Sequence, residues 1–140
     1  MKPIVIDASA AAAWVMPDEV TEAAQDLYAQ ACTDEDLFHV PQLWPWEMGN
    51  MLVMGQVRER IPPAAVEQAM QVLAAAHINL DAAPDLHRQA QIARLALTHQ
   101  LTFHDAAYLE LVLRLNGQLA SRDKKLLQAA GTCGIVCLSF

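Results

Sequence analysis

Short apolar, β-branched runs alternate with longer segments of helical periodicity along this chain, and that alternation commits it to βαβ units around a parallel sheet. The candidate strands are Ile4-Val5-Ile6, Phe38-His39-Val40, Ile78-Asn79-Leu80, Leu119-Ala120-Ser121 and Ile135-Val136-Cys137-Leu138. None contains Asp, Glu, Lys or Arg, as suits strands covered on both faces. The helices between them are marked by punctuation. Pro62-Pro63 opens a segment whose Val66, Ala69, Met70 and Leu73 share one face, and Pro84 opens another with a Leu86, Ala90, Ala93, Leu97 stripe. Phe103 to Asn116 reads as a third helix with Gly117 as its stop, and a short one follows Asp123 to about Gly131. No repeat, low-complexity tract or linker interrupts the 140 residues, so a single domain over 1–140 is expected.

The segment from Leu43 to Val57 departs from simple amphipathicity. Trp44, Met48, Met51 and Leu52 cluster on one side, while Trp46, Val53, Met54 and Val57 occupy much of the rest. A helix of this kind needs cover on more than one side. Burial inside the domain and contact with a partner both meet that need.

Composition narrows the function. The chain is 54% hydrophobic, yet no apolar stretch approaches the ~20 residues that span a bilayer. The opening Met1 to Asp7 is too short for a secretory leader and reads as a first strand, so a cytoplasmic protein without membrane contact is expected. Cys32, Cys133 and Cys137 form no Cys-x-x-Cys pair, and no histidine sits in a His-Glu-x-x-His helix, which argues against disulfide and zinc chemistry. Nine bases against sixteen acids give a net charge of −7, contrary to the basic footprint usual in nucleic-acid binders. The charge is unevenly spread. No Lys or Arg falls between Pro3 and Val57, seven acids lie between Asp18 and Asp36, and bases gather at Arg122, Lys124 and Lys125.

Four acids stand out by position. Asp7 and Asp123 follow candidate strands, at the carboxyl edge where open α/β sheets bind ligands. Glu47 and Asp105 fall in first helical turns that can lean over that edge. Taken singly, each has an ordinary role: Asp7 and Asp123 as N-caps, Glu47 as a complement to a helix dipole, Asp105 as the last member of a Thr102-x-x-Asp capping box. Taken together, four carboxylates at one rim repel one another, by roughly 3 kcal/mol per charged pair at ~5 Å and an effective dielectric near 20. Such a cluster persists when protons or a hard divalent cation such as Mg²⁺ or Mn²⁺ offset it. Asn50 shares a helix face with Glu47, and Ser9 and Ser121 each stand two residues from an acid, so all three are candidates to orient the carboxylates.

These residues fall in four ordered motifs: Ile4-Val5-Ile6-Asp7-Ala8-Ser9, Pro45-Trp46-Glu47-Met48-Gly49-Asn50, Asp105-Ala106-Ala107-Tyr108, and Ser121-Arg122-Asp123 before Lys125-Leu126. Over essentially its whole length the chain resembles PIN domains, and within them the VapC-type toxins of toxin–antitoxin pairs. The resemblance implies a Rossmann-like three-layer α/β/α sandwich with a five-stranded parallel sheet. It also implies a metal-binding quartet of Asp7, Glu47, Asp105 and Asp123, with Ser121 in support. Glu47 is followed by Met-Gly where a small aliphatic pair is more usual.

The activity expected is metal-dependent endoribonuclease cleavage by an activated water, with Arg122, Lys124 and Lys125 contacting RNA phosphate. The partners implied by likeness are a homodimer copy and a VapB-like antitoxin, for which Trp14, Met16, Trp44, Trp46 and Met54 are candidate contacts. A non-catalytic PIN-fold module that binds RNA or protein is the alternative. An aspartyl phosphotransferase is disfavoured, because Ser9 stands where a second acid would be needed and no Gly-x-x-x-x-Gly-Lys loop is present.

Overall fold

The computed structural model describes residues 2–138, and all five expected strands are present, three with the expected bounds, the fourth shifted one residue earlier and the fifth confined to the last two residues of its run. These are β1 (Ile4–Ile6), β2 (Phe38–Val40), β3 (Ile78–Leu80), β4 (Gln118–Ala120) and β5 (Cys137–Leu138), all parallel, in the order β3-β2-β1-β4-β5. The helices are α1 (Ala8–Val15), α2 (Glu22–Thr33), α3 (Trp44–Val57), α4 (Pro63–Ala75), α5 (Leu86–His99), α6 (Phe103–Leu115) and α7 (Lys124–Thr132). Helices α1 to α4 pack among themselves, as do α5 to α7, giving the expected three layers around the sheet. Right-handed crossovers account for the partition, since the chain leaves β1 toward β2 and β3 and returns across the other face to β4. The central strands are fully covered, with Val5, Ile6, Phe38 and Leu119 all at 0% exposure. The edge strands are not. Leu80 at the end of β3 is 53% exposed and both residues of β5 are half-buried.

Three further details differ from the sequence expectation. The stripe assigned to α5 faces solvent: Leu86 and Leu97 are 82% and 81% exposed, whereas Ile92 and Ala96 are buried against Ala106 and Ala107 of α6. The small residues of α6 allow close approach, and that contact selects the face carrying Ile92. Helix α6 stops at Asn116, which takes the left-handed conformation (φ 50°), and not at Gly117. Gly117 is needed for space instead, because a Cβ there would meet the Pro3 carbonyl oxygen at 2.6 Å. Trp44, Met48 and Leu52 of α3 are buried, but Trp46, Val53 and Val57 are exposed, so burial within the domain covers only one side of this helix. Met16 and Trp44 are buried in the core, which removes them as partner contacts, while Trp14 packs edge-on against Tyr28 and Phe38 and stays half-buried.

Gly117 lets β4 lie close beside the start of β1, where Gln118 donates its amide to the Pro3 carbonyl at 2.8 Å. Gly117→Ala is therefore expected to lower stability by about 1–3 kcal/mol, read as a lower urea midpoint with an unchanged m-value; an unaltered midpoint would refute the close approach.

Candidate active site

The register of β1 against β4 sets the site. Ile6 pairs with Ala120, so the chain leaves both strands side by side and Asp7 meets Ser121. Asp7 is 5% exposed and its carboxylate is held on both oxygens. Ser121 donates its hydroxyl to Oδ2 at 2.5 Å, and Oδ1 accepts from Ser9 Oγ at 2.7 Å and from the Ala10 amide at 3.0 Å. The serines are themselves fixed, Ser9 Oγ accepting the Arg122 amide at 2.8 Å and Ser121 Oγ the Asp123 amide at 3.0 Å. Two residues 112 apart in the chain thus lock one carboxylate and both loops that follow the central strands.

The other acids sit over the same rim. Asp123 caps α7 through Leu126 at 2.9 Å, as Asp7 caps α1. Asp105 stands in the first turn of α6, its amide bonded to Thr102 Oγ at 3.1 Å, and Glu47 stands in the first turn of α3. Capping and clustering therefore coexist: each acid occupies a helix N-terminus, whose partial positive charge favours an anion, and the four N-termini are those of α1, α3, α6 and α7.

The acids feel one another. Burial chiefly pushes the Asp7 carboxyl above its ordinary range, against the pull of its hydrogen bonds, and the Asp123 charge adds to the rise. Burial likewise raises Glu47, with Asp105 and Asp7 contributing repulsion, and raises Asp105, with Asp123 contributing. The His104 ring offsets part of the rise at both Glu47 and Asp105. Among the described residues, the ion pairs join Arg60, Arg88, Arg114 and Arg122 to Asp18, Glu19, Asp81 and Glu110. No three His, Cys, Asp or Glu donors among the described residues stand, as placed, at the spacing of a closed metal shell. Mutual repulsion opposes closer approach. The donor chemistry nevertheless fits a hard divalent cation, since every group is a carboxylate oxygen.

Several supporting residues differ from expectation. Asn50 is exposed on α3 and makes no side-chain hydrogen bond among the described residues; Glu47 is oriented instead by Tyr108, whose buried hydroxyl donates to Oε1 at 2.6 Å. Tyr108 lies three residues after Asp105, one turn along α6, a spacing from which the sequence already suggests acid and ring presented together, though not the bond to Glu47. Arg122 engages Glu19, through Oε1 and the carbonyl oxygen, both at 3.2 Å. Lys124 and Lys125 are exposed at the start of α7, beside Asp123.

Comparison with known proteins agrees with this architecture. A family model described as PIN domain matches residues 4–132. Ribonuclease VapC3 of Pyrobaculum aerophilum is 30% identical over 131 residues, covering 88% of this chain and 91% of that protein. The crystal structure of PAE2754 from Pyrobaculum aerophilum superposes with a TM-score of 0.71 at 26% identity, covering 97% of this chain and 83% of that one. FitAcB from Neisseria gonorrhoeae is similar in fold, with a TM-score of 0.63 at 14% identity over 97% and 96% of the two chains.

Raised carboxyls have a consequence for stability. Asp7, Glu47 and Asp105 bind protons more tightly when folded than when unfolded, so their contribution is full below the ordinary values of 3.8 and 4.5 and is lost as pH rises through the raised ones. In EDTA at pH 7, Asp7→Asn is expected to unfold at or above the wild-type temperature and to flatten the decline in Tm above pH 4. A Tm lowered by more than about 4 °C, roughly 1 kcal/mol for a chain of this size, would mean that the Ser9 and Ser121 bonds outweigh the burial of charge.

Proposed function

The chain belongs to the PIN-domain family, and from that premise we propose that it is a VapC-type toxin: an endoribonuclease that hydrolyses RNA phosphodiesters with Mg²⁺ or Mn²⁺. The observation that carries this reading is that Asp7, Glu47, Asp105 and Asp123 stand at the N-termini of α1, α3, α6 and α7, near enough for their charges to act on one another. Asp7, Asp105 and Asp123 would hold the ion, and Mg²⁺ commonly completes its shell with several waters. When bound, the cation supplies Lewis acidity to water and to the phosphate oxygens. Glu47, with Oε1 fixed by Tyr108, would have Oε2 available to hold the ion or to accept a proton from the attacking water. Ser9 and Ser121 keep the Asp7 carboxylate facing the rim. Lys124 and Lys125 attract phosphate, and Arg122 adds to them by exchanging Glu19 for the backbone of the RNA.

The alternative, a PIN-fold module that binds RNA or protein without cutting, draws on the absence of a closed three-donor group among the described residues. Cleavage of total RNA separates the two. EDTA should abolish it, Mg²⁺ or Mn²⁺ should restore it, and Asp7→Asn should fall at least 10²-fold while remaining folded. Wild-type rates in Asp7→Asn would defeat the assignment, and calorimetry without heat of binding at millimolar divalent ion would favour the non-catalytic module.

By likeness to VapC-type proteins, the chain pairs with a second copy and is neutralised by a cognate VapB-like antitoxin. The exposed Trp46, Val53 and Val57 on α3, with half-buried Met54, are the apolar surface available for such contacts. Sedimentation velocity at micromolar concentration should give a dimer; a monomer there would remove the homodimer from this reading.

A further inference from the structure

A cavity of about 220 Å³ opens on the same rim as the acids, displaced toward β2 and β3. Its wall is built by Gln42 and Leu43 after β2, by Pro84 before α5, by Ile92 of α5, and by Phe103 and His104 at the start of α6. The segment that leads into α3, ending at its N-cap Leu43, and the first turn of α6 therefore frame the cavity, so the helices that carry Glu47 and Asp105 both start beside it. His104 links the two places: it lines the cavity and directly precedes Asp105 in the first turn of α6. Neighbouring strands lie about 5 Å apart, so the cavity stands one to two strand spacings from the Asp7 end of β1, within the span of one nucleotide.

The chemistry of the wall selects a class of ligand. It is largely apolar with a few converging polar groups, as small-molecule sites are. Its volume falls below the roughly 300–1,000 Å³ of drug-sized clefts, which leaves room for one flat heterocycle. Its charged members are joined in ion pairs, although the buried Arg88 Nε lacks a hydrogen-bond partner. Arg88 pairs with Asp81 at 2.8 Å and with Glu110 at 3.4 Å, and Arg114 pairs with both acids. Within the wall itself Arg88 stands against two acids, Asp81 and Glu110, while Arg114 pairs with them from outside; this leaves no net attraction for a phosphate, and the pairing stiffens the wall. Gln42 donates its Nε2 to the Asp81 carbonyl, which fixes the amide and leaves Oε1 as an acceptor. Phe103 is 43% exposed, an aromatic face open to the rim.

We propose that this cavity receives the base of the nucleotide next to the scissile phosphate, with Phe103 as its stacking surface and Gln42 Oε1 and the His104 ring as its polar contacts. RNA-binding proteins read single-stranded bases in this way, by stacking on aromatic side chains and hydrogen bonds to base edges. The position beside a scissile phosphate rests on the proposed nuclease activity, whereas binding of a base does not.

Two measurements test it. In ¹H–¹⁵N spectra of the labelled chain without divalent ion, at least one of the four nucleoside 5′-monophosphates should shift the Gln42 side-chain amide and the Phe103 and His104 amides. Ribose 5-phosphate should leave them in place. In RNA cleavage, Phe103→Ala should raise KM about tenfold, more than it lowers kcat, and erase the base preference at one position beside the cut, while Phe103→Tyr keeps it. Nucleotide-specific shifts in a chain that cuts no RNA would uphold the pocket and remove the nuclease reading. Equal shifts with ribose 5-phosphate, no shifts at all, or an unchanged cut-site sequence in Phe103→Ala would overturn the pocket and leave the nuclease reading standing.

Discussion

The pairing of β1 with β4 is the contact on which the site depends. Strand β1 lies at the centre of the sheet, and the chain moves from it to β2 and β3 on one side before returning to β4 on the other. At such a switch point the loops after neighbouring strands diverge and leave a crevice at their carboxyl ends. The Ile6–Ala120 register closes the floor of that crevice with Asp7 and Ser121, and the Ser9 and Ser121 hydroxyls stitch the two departing loops together. The buried contact of Gly117 with Pro3 at the opposite end of the same strand pair keeps this register close. A slip of one residue would turn Asp7 to the other face of the sheet and leave its three hydrogen-bond donors without an acceptor.

The rim gathers acids at some cost to stability, and the fold offsets part of that cost. Four helices begin there, and the partial positive charge of each N-terminus favours the carboxylate set at it. Hydrogen bonds from Ser9, Ser121 and Tyr108 favour the charged forms of Asp7 and Glu47. Burial and mutual repulsion still prevail at Asp7, Glu47 and Asp105, which are all raised. Strain of this kind, kept where each acid also has a structural task as a cap or first-turn residue, is typical of a site retained for function. Elsewhere four arginines are paired with acids: Arg60 and Arg122 hold the turn at Pro17–Glu19, and Arg88 and Arg114 hold the end of β3 against α5 and α6.

Surface apolar residues follow a different logic. Trp46, Val53 and Val57 occupy one side of α3, and Leu86 and Leu97 one side of α5, all of them exposed. Periodicity identified both helices but could not say which face turns inward, because each carries apolar residues on two sides. On α5 the choice went to Ile92 and Ala96, since Ala106 and Ala107 of α6 offer a close-packed partner. On α3 it went to Trp44, Met48 and Leu52.

What the chain's own order of residues determined was the local structure and the inventory of the site. Short uncharged runs marked the strands, prolines and caps marked the helices, and the four acids were identified by standing just beyond strands or in first helical turns. Those are features of a few consecutive residues, and they are legible without neighbours. Tertiary structure alone decided the rest. It set Ser9 and Ser121 on one carboxylate, replaced Asn50 with Tyr108 as the partner of Glu47, tied Arg122 to Glu19, and turned one face of α5 outward. Each joins groups far apart in the chain or chooses between two similar faces, and strand order and helix packing settle such matters because only they fix which distant side chains share a neighbourhood.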